Sequence, residues 1–364
     1  MSELASEPMS TAADAHAADE RSAEGAPVSE LASERTSGHS GGPDPAVAQV
    51  RVAVRRALTE YVEPAVPVLV ACSGGADSLA LAAAVAFEAP RRGIAAGAVT
   101  VDHALQPGSA DRANRVAELL RGLGLDPVLV RRVDATGDGG PEAAARRARY
   151  SALDQAAAAT AARWVLLGHT LDDQAETVLL GLGRGSGPRS IAGMRPADPP
   201  YLRPLLGIRR ATTAAACAAE GLPAWVDPHN ADPRYRRARL RHEVLPLLED
   251  VLGGGVAEAL ARTATLLRAD LTALDAVAAD LARERIRAAD RVDVGALADL
   301  PDGLRRRLLR TWLRDVPGLT SAHLTAIDHL LTGWHGQGPV SLPGGRRVTR
   351  RHGALRLDDS EPPE

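Results

Sequence analysis

A short run of small residues after an apolar segment has the composition of an anion-binding loop. The apolar segment is PVLVAC (67–72), and the run reads Ser73, Gly74, Gly75, Ala76, Asp77 and Ser78. Small residues leave main-chain N–H groups free to face a phosphate, and the following helix start adds partial positive charge. We expect Asp77 either to cap that helix or to hold a Mg²⁺ ion that bridges phosphates. An ordinary strand–helix turn is the alternative, since Ser, Gly and Asp are common in turns.

The run lacks the lysine of the GxxxxGK[ST] phosphate loops. The whole chain contains no lysine, and all 43 basic residues are arginine. We attribute this to a compositional bias that also enriches Ala and Gly, and we draw no functional conclusion from it.

Two carboxylates and two histidines form a second group of residues with chemical potential. Asp173 and Glu176 are spaced i, i+3 in a predicted helix, so their side chains share a face and together bind a cation. Two solvated helix charges are the alternative. Asp172 is expected to be a first-turn acid that interacts with the helix dipole. His103 and His169 each end a predicted strand, where we expect contact with a nucleotide rather than with a metal.

Composition and charge favour a nucleic-acid partner. The chain has 364 residues and is 45% apolar, which is enough for two domains. Its formal net charge is −3, yet residues 1–46 hold nine acids and two arginines, and residues 358–364 hold four acids. Residues 47–357, the body of the chain, therefore carry a net charge of +8. A basic body with acidic ends suits a polyanion.

The cysteines and the hydropathy pattern predict a cytoplasmic protein. Cys72 and Cys217 are the two cysteines of the chain and are far apart, so they form no CxxC pair. No apolar run reaches the roughly 18 residues of a membrane span. The N-terminus is polar and acidic, unlike a signal peptide.

The elements that must position these residues alternate along the first part of the chain. Strands are predicted at 67–72, 94–103, 126–133 and 164–169, with helices at 77–88, 109–124, 141–160 and 171–183. This alternation predicts an α/β fold, a doubly wound parallel sheet with helices on both faces. The carboxyl ends of its strands form the edge where ligands bind.

The pattern divides the chain into four parts. Residues 1–46 have too few large apolar side chains to fold and are predicted to be a disordered acidic tail. The α/β domain occupies 47–235, and a second, mainly helical domain occupies 236–357. Helices are predicted over 241–290 and 303–332, followed by a hairpin around Pro-Gly-Gly within 338–359. Residues 358–364 form an acidic tail.

Several motifs resemble those of the tRNA(Ile)-lysidine synthetases, N-type ATP pyrophosphatases of the PP-loop superfamily with an adenine nucleotide α-hydrolase-like fold. In chain order the motifs are SGGADS (73–78), VDH (101–103), Glu142 with Arg146, Arg149 and Tyr150, HTLDDQAET (169–177), RGSG (184–187) with AGM (192–194), RPLL (203–206) and the stretch from Asp227 to Arg241. They agree in order and spacing over roughly 67–250. Two positions depart from the family pattern, with Ala238 in place of Asn and Gln106 in place of Arg.

The resemblance implies a two-step reaction that needs ATP and Mg²⁺. ATP activates the C2 oxygen of the wobble cytidine in a CAU-anticodon tRNA(Ile) and releases pyrophosphate. The ε-amine of free lysine then attacks C2 and expels AMP, giving lysidine. Pyrophosphate release, rather than γ-phosphoryl transfer, explains why no P-loop lysine is expected.

The resemblance also implies roles for individual residues. It assigns nucleotide binding to Ser73, Gly74, Gly75, Ala76, Asp77, Ser78, His103, Arg146, Gly168 and His169. Substrate lysine is assigned to Asp173 and Glu176, and the catalytic set is Asp77, Asp173 and Arg237, with Mg²⁺ held at Asp77 through phosphates. Candidates for tRNA contact are Arg149, Arg241, Arg305, Arg306, Arg346 and Arg347, with Arg307, Arg310, Arg314, Arg350 and Arg351 as further candidates.

Other function classes remain as alternatives at this point. Another PP-loop tRNA-modifying enzyme, such as a 2-thiolase, would normally need paired reactive cysteines. A glutamine-dependent synthetase would need a nucleophilic cysteine domain, and a non-catalytic nucleotide-binding module would not need the Asp173/Glu176 pair. The sequence fixes neither the oligomeric state, for which a homodimer is one alternative, nor the basis for rejecting the methionine tRNA with the same anticodon. It also leaves open the role and the true start of residues 1–46.

Overall fold

The computed structural model describes residues 42–104, 108–134, 141–185, 187–227 and 232–359, with no side-chain description for 141–143. The first part of the chain builds a six-stranded sheet. Its strands are β1 (Val68–Ala71), β2 (Ala96–Asp102), β3 (Val128–Arg132), β4 (Trp164–Leu167), β5 (Ala197–Asp198) and β6 (Tyr201–Leu202). Its helices are α1 (Pro45–Tyr61), α2 (Ala76–Glu88), α3 (Ser109–Gly122), α4 (Pro141–Ala159), α5 (Leu171–Arg184), α6 (Pro188–Ile191) and α7 (Arg210–Ala219).

The sheet has the order β3-β2-β1-β4-β6-β5, and every neighbouring pair is parallel except β5 with β6. Its two faces belong to different apolar clusters. Val68 and Val70 of β1 pack with α1, α2 and α7, whereas Leu69 between them packs with Leu153 of α4. This alternation follows from the two-residue period of a strand. The predicted doubly wound parallel sheet is therefore confirmed.

The order of the strands defines where a ligand can bind. From β1 the chain proceeds through β2 to β3 on one side and then returns to place β4 on the other side of β1. The carboxyl ends of β1 and β4 thus flank the point where the strand order reverses, which is the usual ligand crevice of such sheets. The loop 72–76 follows β1, and residues 168–170 follow β4.

The second part of the chain is mainly helical and carries a small sheet. Its helices are α8 (Arg236–Arg239), which continues through a π-helical turn (Leu240–Val244) into α9 (Leu245–Val251), then α10 (Val256–Arg285), α11 (Asp302–Trp312) and α12 (Ser321–Thr332). Its strands are β7 (Arg291–Asp293), β8 (Val340–Leu342), β9 (Arg346–Arg351) and β10 (Ala354–Asp359), in the order β7-β10-β9-β8.

Two details of the second part differ from the prediction. The expected hairpin around Pro343, Gly344 and Gly345 is β8–β9. It belongs to a four-stranded antiparallel sheet that also contains β10 and the edge strand β7, whose three residues are too few for a recognisable period. The helix expected over 241–290 is interrupted because Gly253, Gly254 and Gly255 all have positive φ, a conformation that ends a helix.

The predicted tails fall largely outside the described residues, as do Gln106 and residues 228–231. Helix α1 begins at Pro45, and the side chain of Asp44 caps it by accepting a hydrogen bond from the main-chain N–H of Ala46 at 2.8 Å. The body therefore starts slightly before the predicted boundary at residue 47. None of the helices in the described residues has the length and apolar character that a membrane span needs.

Candidate active site

The loop after β1 has a fixed conformation that depends on glycine. Gly74 has φ +83°, and a Cβ there would lie 2.7 Å from Cγ2 of Val116. The hydroxyl of Ser78 accepts a hydrogen bond from the main-chain N–H of Ser73 at 3.2 Å and donates to the carbonyl of Gly75 at 2.9 Å. The loop is thus folded back on the start of α2 before any ligand binds.

The start of α2 is suited to an anion. Gly75 is its N-cap and supplies no side-chain cap, so the first N–H groups of the helix have no side-chain acceptor there. The end of β4 approaches this helix closely, since a Cβ on Gly168 would lie 3.1 Å from the main-chain carbonyl of Asp77 and from Cα of Ser78. The absence of a side chain at Gly168 therefore lets the end of β4 lie directly against the start of α2.

Buried polar atoms without protein partners lie beside this loop. Three polar atoms are buried and have no hydrogen-bond partner among the described residues, namely Nδ1 of His103, Nδ1 of His169 and Nε of Arg149. Burial, assisted by the charge of Arg149, lowers the pKa of His169 to about 3 and lowers the pKa of His103 as well. Both imidazoles are therefore neutral at pH 7. Unsatisfied buried groups are costly, so this cluster fits a polar ligand such as a nucleotide.

A network of acids and arginines occupies the neighbouring helix face. Arg210 donates to Oδ1 of Asp173 at 2.6 Å and to Oε1 of Glu176 at 3.4 Å. Arg241 holds Glu176 through two hydrogen bonds of 2.9 and 3.4 Å, and its Nη2 lies 3.5 Å from Oδ1 of Asp173. The side chain of Glu176 is 1% exposed and that of Asp173 is 19% exposed. The structure thus brings the predicted acid pair together and surrounds it with two guanidinium groups.

Arg210 also connects this network to the loop after β1. Its Nε lies 3.6 Å from Oδ2 of Asp77, and its main-chain N–H donates to Asp172 at 2.7 Å. The hydroxyl of Thr213, one turn further along α7, donates to Asp77. Burial raises the pKa of Asp77, while Thr213 and Arg210 oppose the shift. Asp77 is therefore not a helix cap, and it faces the same centre as Asp173.

Arg210 was not found from the sequence. It is the first residue of α7 and follows another arginine, Arg209, which is the N-cap. Positive side chains are unfavourable at a helix N-terminus, so two consecutive arginines there indicate acidic partners elsewhere in the fold. That signal was available in the sequence.

The start of α5 is held from two sides. Thr170 and Asp173 form a capping box, in which the main-chain N–H of Thr170 donates to Oδ2 of Asp173 at 2.8 Å. Gln174 exchanges hydrogen bonds of 3.0 and 2.7 Å with the main chain of Met194. The same Met194 carbonyl accepts a hydrogen bond of 2.9 Å from Arg268 of α10. The acid-bearing helix is therefore tied to the second part of the chain.

The chain is similar to known proteins over most of its length. A PP-loop domain model matches residues 48–248, and a model of the TilS substrate binding domain matches residues 293–356. The tRNA(Ile)-lysidine synthase of Thermobifida fusca is 56% identical over 86% of this chain and 98% of its own length. The chain belongs to the tRNA(Ile)-lysidine synthase family. The members from Leifsonia xyli and Streptomyces coelicolor are 57% and 53% identical, over 80% and 86% of this chain and 90% and 97% of their own lengths.

As a tRNA(Ile)-lysidine synthase family member, the chain is an enzyme of the ligase class with a PP-loop ATP-binding domain. A solved structure, the U34-tRNA thiolase NcsA from Methanococcus maripaludis with its [4Fe-4S] cluster, superposes with a TM-score of 0.51. It covers 61% of this chain and 80% of its own, at 17% identity, so the likeness concerns the fold alone.

Two arginines predicted to contact tRNA lie inside the site of this tRNA(Ile)-lysidine synthase family member. Arg241 is held by Glu176, and Arg149 lies with the two histidines. The guanidinium group of Arg241 thus belongs to the acid–arginine network, and that of Arg149 belongs to the candidate nucleotide cluster. Both therefore lie at the site rather than on an outer surface, and their contact with tRNA stays a prediction.

Arg305 is a clear correction to the predicted tRNA surface. It is buried, pairs with the buried Asp328 and donates to the carbonyl of Leu300 at 2.7 Å. It belongs to the interior of the second domain and has no free face for RNA. Arg306 beside it is 45% exposed and lies 3.4 Å from Asp328. Arg346 and Arg347 lie on β9 and stay predicted contacts.

The remaining predicted residues lie around the site. Arg146 is exposed and donates to the hydroxyl of Tyr150 at 3.3 Å. Arg237 is exposed on α8, and its charge contributes to the lowered pKa of Arg149, so the two lie near each other. Ala238, where the family pattern has Asn, is buried on the same helix. The side chain of Glu142 lies outside the described residues.

Among the described residues, no group of three or more His, Cys, Asp or Glu side chains has a metal-binding arrangement. Asp77 is the carboxylate of the loop after β1, and it is already engaged by Thr213 and Arg210.

Proposed function

We propose that this chain ligates free lysine to C2 of the wobble cytidine of a CAU-anticodon tRNA(Ile), consuming ATP and releasing AMP and pyrophosphate. The observation that carries the proposal is identity above 50% to tRNA(Ile)-lysidine synthases over most of both chains. The acid–arginine network around Asp173 and the unsatisfied polar cluster beside it support the proposal.

In the first step, the C2 oxygen attacks the α-phosphorus of ATP, and pyrophosphate leaves. The N–H groups at the start of α2, with Ser73, hold the departing phosphates, and Arg237 neutralises charge that develops on them. The neutral His103 and His169 contact the nucleotide. Asp77 would hold a Mg²⁺ ion together with the bound phosphates, and the ion would supply further charge neutralisation.

In the second step, the ε-amine of lysine loses a proton and attacks C2, which breaks the C2–O bond and expels AMP. Asp173, the more exposed acid of the pair, binds an ammonium group of the substrate and is the acceptor for that proton. Glu176 lies behind it and holds the two arginines in place.

Free lysine also carries an α-carboxylate, which needs a cation when it leaves water. Arg210 is suited to this role because its side-chain hydrogen bonds to Asp173 and Glu176 use only Nη2, which leaves further N–H donors. We therefore assign the α-carboxylate to Arg210. The α-ammonium and α-carboxylate of the substrate then replace part of the pairing between the acids and the arginines. Because their charges cancel, these two groups add no net charge to the site.

The experiment is incorporation of radiolabelled lysine into tRNA(Ile) with ATP and Mg²⁺, alongside lysinamide, which lacks the α-carboxylate. Asp173→Asn should block lysidine formation while pyrophosphate release stays measurable. Arg210→Met should raise the KM for lysine and remove the preference over lysinamide, whereas Arg210→Lys should restore part of it. AMP formation with a sulfur donor but not with lysine would support a 2-thiolase instead, although Cys72 and Cys217 are both buried.

We also propose a cytoplasmic location and a homodimer. Two free cysteines are compatible with a reducing compartment.

The dimer proposal rests on exposed apolar side chains of α9 and α10, namely Leu247, Val251, Leu266, Leu274 and Val277. Light scattering of the wild type and of Leu266→Glu/Leu274→Glu tests it, and a wild-type monomer would contradict it.

A further inference from the structure

A small arginine-lined cavity lies where the two parts of the chain meet. It has a volume of about 300 Å³. Arg189, from α6 of the first part, faces Arg307, Arg310 and Arg314 from α11 and the turn after it. Asp275 of α10 is the acid in its lining.

The cavity has too few acids for its arginines. Asp275 Oδ1 accepts from Arg189 at 2.7 Å and from Arg307 at 2.9 Å, so one carboxylate oxygen serves two guanidinium groups. Arg310 has no acidic partner within the described residues, and the partner of Arg314, Asp315, is 3.7 Å away. Four guanidinium groups and one carboxylate leave a formal surplus of three positive charges.

A neighbouring cavity shows that the surplus is local. The larger cavity, of about 730 Å³, shares the lining residues Thr311 and Arg314 with the small one, so the two are adjacent. Its lining has four arginines but also three aspartates. The unpaired positive charge is therefore concentrated in the small cavity.

We infer that the small cavity binds a backbone phosphate of the RNA substrate at the junction of the two domains. Guanidinium groups match phosphate oxygens in geometry, and Arg307 and Arg310, spaced i, i+3, project from the same side of α11. A phosphate supplies the negative charge that the lining lacks. The inference rests on the proposed function only in that the RNA is the tRNA.

The position of the cavity links RNA binding to the acid-bearing helix. Arg189 lies on α6, and α6 packs directly on α5, since a Cβ on Gly181 would meet the main chain of Ser190. An RNA phosphate held by Arg189 and Arg310 is therefore bound by both domains at once, beside the helix that carries Asp173.

The test is the salt dependence of tRNA(Ile) binding, measured by fluorescence anisotropy with the full chain. Neutralising one phosphate contact lowers the slope of log Kd against log salt by about 1. We expect that loss, and about tenfold weaker binding at low salt, for Arg310→Gln/Arg314→Gln. Arg163→Gln, which removes an exposed arginine paired with Glu63, is the matched control and should leave the slope unchanged.

Three further results decide the inference. Arg310→Lys/Arg314→Lys should keep most of the slope, because the charges remain. An unchanged slope in the folded Gln variant would overturn the inference. The inference would also be overturned if inorganic phosphate stabilised the wild type against unfolding but had no effect on its binding of tRNA. Lysine incorporation by the wild type is assayed separately, so loss of that activity contradicts the proposed function and not this site. If the Gln variant fails to fold, Arg189→Gln replaces it.

Discussion

Arg305 and Arg306 are adjacent in the sequence but have different surroundings. The Arg305 side chain is 6% exposed and pairs with Asp328, which is 7% exposed, whereas the Arg306 side chain is 45% exposed. A run of charges in a sequence indicates a basic surface, but it does not show which member turns inward. The prediction of a tRNA contact was wrong for Arg305 for this reason.

Replacing the two arginines should have unequal effects on stability. Arg305→Ala leaves the buried Asp328 without its main partner and should lower the free energy of unfolding by about 3–5 kcal/mol. Arg306→Ala should change it by about 0.5 kcal/mol or less. Urea unfolding measures both, and equal effects would contradict the buried ion pair.

His169 should make the protein sensitive to mild acid. Its folded pKa is lowered to about 3 by burial, whereas the unfolded value is about 6.5. Between these values the unfolded chain binds the proton and the folded chain does not, so stability falls as pH decreases below about 6.5. We expect a loss of about 2 kcal/mol between pH 7 and pH 5 that is absent in His169→Gln. The exposed-histidine control, His352→Asn, should keep the wild-type pH dependence.

At the scale of residues, the sequence predicted the ligand loop and the shared face of Asp173 and Glu176, because both depend on local spacing. It did not predict Arg210, whose partners come from α2 and α5, 34 or more residues away in the chain. Nor did it show that the acid pair would already be paired with arginines. The two consecutive arginines at the start of α7 indicate acidic partners. Which acids these are depends on how α7 packs, and local patterns do not encode that packing.

At the scale of elements, α5 is the helix on which the site depends. Its capping box fixes Asp173, Gln174 fixes the loop at Met194, and its last turns contact α6. The alternation of strands and helices was enough to predict the sheet, since burial on both faces gives continuous apolar strands. The three-residue strand β7 was not predictable, because its pairing with β10 is long-range.

Two glycines of α5 offer a matched test of the α5–α6 contact. A Cβ on Gly181 would lie 2.7 Å from the carbonyl carbon of Ser190, whereas no atom of the described residues lies within 4 Å of a Cβ on Gly183. Gly181→Ala should therefore lower the free energy of unfolding by about 2 kcal/mol, through overpacking against main chain. Gly183→Ala should raise it by about 0.5–1 kcal/mol, as in other helices. Similar free energies of unfolding for the two variants would mean that α6 does not pack against α5 at Gly181.

At the scale of the molecule, the two domains share contacts that neither could supply alone. Asp275 of α10 binds Arg189 of the first part and Arg307 of the second, and Arg268 of α10 reaches the loop at Met194. The long helix α10 is thus the element that joins the catalytic domain to the predicted RNA-binding domain. The sequence predicted a helix here, but its partners follow only from the packing.

The start of the body can be tested by two deletions. Removing residues 1–41 leaves Asp44 as the cap of α1, whereas removing 1–46 takes away the cap and the first helical residues. The longer deletion should cost about 1 kcal/mol more in the free energy of unfolding. Asp44→Ala in the full chain should show a similar loss. Equal stabilities of the two truncated proteins would argue against the cap.

The shared carbonyl of Met194 has a consequence for how the substrates influence each other. Gln174 on the acid-bearing helix and Arg268 on α10 both bind it, at 3.0 and 2.9 Å. If tRNA binding shifts α10, the equilibrium affinity for lysine changes by some factor, and thermodynamic reciprocity requires lysine to change tRNA affinity by that same factor. The coupling between the two substrates would then pass through one main-chain oxygen, and Arg268→Met should make the two affinities independent.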